Sequence, residues 1–111
     1  MRIYLAQINP IVGDLESNAA LIMAEAQKAT AKGADLLVTP ELALTGYPPR
    51  DLLDRPGFVT DALNALEYLR HQLPLPAVIG SLVTAEEDPF TPSTRILNAA
   101  IFIEDHQFKA I

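Results

Sequence analysis

The sequence of 111 residues contains no cysteine. No disulfide can brace the fold, which is compatible with a reducing compartment, and no thiol nucleophile is available among these residues. Basic residues are scarce: eight Lys and Arg stand against 14 Asp and Glu, for a net charge of −6. They are scattered singly and make no stripe for a phosphate backbone, which argues against nucleic-acid binding. The acidic balance favours solubility instead. The five glycines form neither a GxGxxG nor a P-loop pattern, so no nucleotide or other cofactor is expected on this stretch. No apolar run approaches the roughly 18 residues that span a bilayer. Ile3 to Ile8 is short and is stopped at once by Asn9-Pro10, unlike a signal peptide. No membrane association is therefore expected, and the location expected is cytoplasmic. Internal repeats, low-complexity tracts and linkers are also missing.

What is present is a globular composition. Half of the residues are hydrophobic, spread from end to end, enough for one small domain with a core. Arg2 to Ile8 reads as a strand. Asp14 or Ser17 is placed to cap a helix whose apolar face is Leu15, Ala19, Ile22, Ala26 and Ala29, ending near Lys32-Gly33. Glu25 with Lys28 or Lys32 offers modest pairing on the other face. Leu36 to Val38 follows as a buried strand, so strand, helix and strand form a crossover unit within one sheet. Asp51 to Arg55 is read as one helical turn. Phe58, Ala62, Leu66 and Leu69 mark a second helix ending near His71. Ala77 to Val83 is a strand interrupted by Gly80-Ser81, Glu86 to Pro92 an acidic loop, and Ile96 to Ile103 a strand. Glu104 to Gln107 is a turn into another strand from Phe108. The order places the chain in the α/β class.

Chemistry concentrates after the second strand, in Val38-Thr39-Pro40-Glu41-Leu42-Ala43-Leu44-Thr45-Gly46-Tyr47-Pro48-Pro49. Pro40 restricts Thr39 to extended geometry and cannot join a central ladder, so the strand ends there. Glu41 is left just beyond the strand's C-terminal end, where α/β folds commonly bind ligands. Leu42, Ala43 and Leu44 are expected to flank the carboxylate without hydrating it, and poor hydration strengthens a carboxylate as a base. The competing reading is a strand-end glutamate that caps a helix or pairs with an arginine.

Pro40-Glu41-Leu42 followed by Thr45-Gly46-Tyr47 resembles the glutamate motif of the nitrilase, or carbon–nitrogen hydrolase, superfamily. Ala6-Gln7-Ile8-Asn9-Pro10-Ile11-Val12-Gly13-Asp14-Leu15 and Tyr47-Pro48-Pro49-Arg50-Asp51-Leu52-Leu53 narrow the likeness to N-terminal glutaminase domains of glutamine-dependent NAD synthetases. The resemblance implies an α-β-β-α sandwich of mixed sheets packed face to face. It also implies a Glu–Lys–Cys triad that hydrolyses glutamine, with Glu41 as the base. Tyr47 either lines the glutamine pocket or anchors its loop by packing. The triad lysine is expected a few residues past Ile111, with Lys109 a solvent-facing strand residue, and the cysteine is expected later still. These residues are thus read as the N-terminal portion of a longer domain, inactive alone. A synthetase domain beyond it would use ATP and Mg to amidate nicotinic acid adenine dinucleotide, and a homo-oligomer is expected. Two alternatives stand beside this reading: a stand-alone amidase acting on another small amide, and a non-catalytic interaction module. His71 and His106 lack metal-ligand spacing and are read as surface or cap positions, so no metal is expected. Arg50 and Asp51, like Glu86-Glu87-Asp88, are read as solvated.

Overall fold

The computed structural model describes residues 1–46, 55, 57–88 and 91–109. Strand β1 (Ile3–Leu5) leads into helix α1 (Leu15–Ala31), and strand β2 (Leu36–Val38) follows. Helix α2 (Phe58–Gln72) then precedes three strands, β3 (Ala77–Asp88), β4 (Thr91–Glu104) and β5 (Gln107–Lys109). All five strands form one mixed sheet in the order β1-β2-β3-β4-β5. The first three are parallel, joined through the two helices, and the last three are antiparallel. The expected crossover is therefore present, and it continues directly into the hairpin.

Burial follows the two periodicities. Along α1, Ala19, Ile22, Ala26 and Ala29 are buried, as the spacing predicts, and along α2 so are Phe58, Ala62, Leu66 and Leu69. These helices pack together on one face of the sheet, where Leu37, Ala77, Ile79 and Ile103 complete the core. Strand residues alternate between that face and the other. Leu5, Val38, Val78 and Phe102 are successive cross-strand partners and make an apolar row on the face away from the helices. Leu5 is 69% exposed there.

Helix ends are fixed by specific bonds. Asp14 caps α1, its carboxylate accepting from the Ser17 backbone N–H at 3.1 Å. Lys28 pairs with Glu25 at 3.4 Å, as anticipated, whereas Lys32 lies over the Tyr4 ring. Near the end of α2, Arg70 bonds Glu67 at 2.7 Å and donates to the His106 carbonyl at 2.8 Å. The guanidinium also lies over the Phe108 ring. His106 and Asp105 form the two-residue β4–β5 turn, both with positive φ, the conformation that matches the twist of a hairpin.

Three sequence expectations need correction. The first strand ends at Leu5 instead of Ile8, although the Ala6 N–H still reaches the Val38 carbonyl at 2.9 Å. Farther on, Asn18 of α1 holds the Ile11 backbone in place of the sheet. Gly80-Ser81 does not interrupt β3, which is continuous. The acidic segment from Glu86 is not simply a loop, because β3 runs through Asp88 and β4 starts at Thr91. Among the described residues the ends of this ribbon pair with each other, and charge and proline content misplaced them. The expected turn at 51–55 lies, apart from Arg55, outside the described residues.

Two stability measurements check this account. Leu66→Ala in the full-length protein should lower unfolding free energy by about 2–5 kcal/mol in denaturant titration, the scale of a buried leucine truncation. An unchanged midpoint would show that Leu66 is not packed. Asp14→Ala should lower Tm at neutral pH. The Ser17 backbone N–H holds the Asp14 carboxyl below its ordinary value. Its contribution is therefore complete above the unfolded pKa and is lost as pH falls through the folded one. The Tm difference between Asp14→Ala and the parent should shrink on acidification.

Candidate active site

The segment after β2 is built against β3 by backbone contacts. Thr39 donates from its backbone N–H and from Oγ1 to the Val78 carbonyl, at 3.0 and 3.1 Å. Its Oγ1 in turn accepts from the Gly80 N–H at 3.0 Å. The Leu44 N–H donates to the Gly80 carbonyl at 3.1 Å, so both polar groups of Gly80 are bound by the segment that carries Glu41. Only glycine permits this approach. A Cβ at position 80 would collide with the Pro40 carbonyl oxygen and lie 2.7 Å from the Leu42 nitrogen. The apparent strand interruption is therefore the seat of the Glu41 turn.

The turn is strained and held. Leu42, directly after Glu41, has φ of 52°, a left-handed conformation that costs a bulky residue about 1–3 kcal/mol. Burial of its side chain against Phe58 and Leu82 offsets the strain. The Leu42 carbonyl accepts from the Gly46 N–H at 2.8 Å, and Gly46, with φ of 70°, lies against the Val12 backbone. Asn18 joins the two segments. Fully buried, it donates from Nδ2 to the Leu44 carbonyl at 2.9 Å and to the Ile11 carbonyl at 2.7 Å, and its Oδ1 accepts from the Ile11 N–H. Sequence reading did not single out Asn18. The signal was a polar residue three after Leu15 and four before Ile22, on the face that should be apolar.

Glu41 itself is exposed at the mouth of a cleft of about 350 Å³. Val38, Thr39 and Pro40 line one side, Val78 and Gly80 the floor, and Asn98, Ala99 and Ala100 the other side. Its apolar neighbours do not enclose the carboxylate as expected, for Leu42, Ala43 and Leu44 are all turned into the interior. Asn98 Nδ2 donates to Glu41 Oε1. Among the described residues no arginine or lysine pairs with Glu41.

Among the described residues, Lys109, His71 and His106 do not line the cleft. Lys109 is exposed, pairs with Glu104 at 3.5 Å and aligns with Phe102. That lies four positions along β4 from Asn98, about 13 Å at the usual strand rise. His71 and His106 both sit at Arg70, and among the described residues no group of three His, Asp or Glu could hold a metal. Tyr47, Arg50 and Asp51 lie outside the described residues. A separate groove of about 700 Å³ between α1 and α2 is lined by Leu15, Ala19, Ala65 and Tyr68 and shares no residue with the Glu41 cleft.

A carboxylate just past the C-terminal end of a parallel strand, open to a small cleft, stands where α/β folds commonly bind ligands. The chain belongs to the carbon–nitrogen hydrolase family, which it matches over residues 2–109. It is 40% identical over 109 residues to a glutamine-dependent NAD(+) synthetase of Synechocystis sp., covering 96% of this chain and 20% of that protein. The solved structure of glutamine-dependent NAD+ synthetase from Acinetobacter baumannii superposes with a TM-score of 0.84 at 30% identity, covering 97% of this chain and 19% of that one. An amidase from Nesterenkonia sp. superposes at 0.74 with 28% identity, over 99% of this chain and 41% of the amidase. The chain spans about a fifth of the length of the curated relatives it matches. Among the described residues no helix is long and apolar enough to cross a membrane.

The seat of the turn can be tested directly. Gly80→Ala should destabilise the full-length protein by about 1–3 kcal/mol, the usual cost of overpacking, because the backbone at Pro40 and Leu42 must move. Retention of the parent's unfolding midpoint would mean that the turn does not rest on Gly80.

Proposed function

We propose that this chain forms part of a glutaminase domain in a longer glutamine-dependent NAD synthetase, with Glu41 as its general base. The observation that carries this reading is Glu41 on a docked turn, at the mouth of a cleft, in a chain whose curated relatives are named glutamine-dependent NAD(+) synthetases. In the reaction proposed, Glu41 takes the proton of a cysteine thiol supplied from elsewhere in the polypeptide. The thiolate attacks the glutamine amide carbon, and a lysine from elsewhere balances the oxyanion. Collapse expels ammonia, protonated by Glu41, and leaves a thioester. Glu41 then deprotonates the water that releases glutamate. Tyr47 is proposed to line the glutamine pocket.

The ammonia would pass to a synthetase domain that uses ATP and Mg to amidate nicotinic acid adenine dinucleotide to NAD. A cytoplasmic homo-oligomer is part of this proposal. A second reading, a stand-alone amidase, is favoured by the likeness to the Nesterenkonia enzyme. Glutamine-dependent formation of NAD by the full-length protein would support the synthetase. Amide hydrolysis without any such synthesis would support the amidase.

Glu41→Gln preserves shape and removes the base. Glutamine-dependent turnover of the full-length protein should fall by ~10² or more, the scale of general acid–base catalysis. Synthesis from added ammonia should persist, since ammonia bypasses the site. Equal loss of both activities would assign Glu41 a structural role instead.

A further inference from the structure

We propose that Asn98 is a positioning residue for Glu41, holding one carboxylate oxygen so that the other faces the proton it must accept. The proposal rests on the reading of Glu41 as a base. Its observations are geometric. Asn98 lies on β4 opposite Leu82, two residues from Ala100, which is paired with the Gly80 that seats the Glu41 turn. Donor and acceptor are therefore both referenced to β3, one through the strand ladder and the other through the docked turn. They are 57 residues apart in sequence, so no local preference brings them together.

The direction of the bond follows from chemistry. An ionised carboxylate only accepts hydrogen bonds, so the amide nitrogen of Asn98 must face Glu41 and the amide oxygen must face away. Among the described residues Asn98 is the one donor to this carboxylate. With Oε1 occupied, rotation of the carboxylate is restrained and Oε2 is left to accept. A lysine or arginine at position 98 would also hold the carboxylate, but as an ion pair that stabilises the charge and weakens the base. Asparagine fixes orientation without adding formal charge. Both groups are exposed, and a hydrogen bond in contact with water adds little net stability. Its value is thus orientation. The following residues, Ala99 and Ala100, are small and leave the cleft beside it open.

Four variants of the full-length protein test the role: Asn98→Ala, Asn98→Gln, Glu41→Gln and the double variant Glu41→Gln/Asn98→Ala. Asn98→Ala should lower kcat with glutamine by about 10- to 100-fold, the scale of a misplaced catalytic group, with little change in KM. Synthesis from added ammonia and Tm should be retained. Asn98→Gln keeps the amide donor and should recover part of the loss. In the Glu41→Gln background, Asn98→Ala should cost nothing further, because its effect runs through Glu41. A silent Asn98→Ala beside a selectively damaged Glu41→Gln would overturn the positioning role alone. Losses that multiply in the double variant would overturn it too, showing that Asn98 acts elsewhere. Full glutamine-dependent activity in Glu41→Gln would overturn the base assignment and, with it, the role of Asn98.

Discussion

The approach of one backbone to another governs this end of the molecule. The turn after β2 must come close enough to β3 for Leu44 and Thr39 to bond both polar groups of Gly80. Two strand atoms that would otherwise serve only the ladder become the foundation of the Glu41 turn. The geometry demands the absence of a side chain, and position 80 is where a Cβ would meet main-chain atoms that cannot rotate away. Once the turn is seated, Leu42 is forced into a left-handed conformation and its side chain is buried. Glu41 is left exposed at the cleft.

Asn18 extends the same support into the helix layer. A fully buried amide in a helix is costly unless its groups are bonded, and here it bridges Ile11 and Leu44. The bridge ties α1, the chain leaving β1 and the Glu41 turn into one unit. The helices lie on one sheet face and supply the core, while Val38 and Val78 on the opposite face line the cleft. Core and cleft are divided between the two sides of one sheet.

Much of the framework was legible in the sequence because it is periodic. Ala19, Ile22, Ala26 and Ala29, then Ala62, Leu66 and Leu69, announce both helices, and Leu36 to Val38 announces β2. Glu41 was legible from Pro40 and from the resemblance carried by the residues around it. Contacts between distant segments were not. Gly80 read as a break in a strand because its partner, Pro40, lies 40 positions earlier. Asn98 showed no periodic or compositional signal, and its bond to Glu41 exists only after β4 has paired with β3. The outer ends of the β3–β4 ribbon were misread because Glu86-Glu87-Asp88 and Pro92 carry no apolar alternation by which strands are recognised.

Arg70 has a consequence for fidelity of assembly. It fastens the β4–β5 turn to the end of α2 through the His106 carbonyl and the Phe108 ring. A slip of one residue in a strand turns every side chain to the opposite side of the sheet. Such a slip along β4 would carry Asn98 to the helix side and remove it from Glu41. Arg70 thus fixes where the far end of the hairpin sits against α2, on the same strand that carries Asn98 to the cleft.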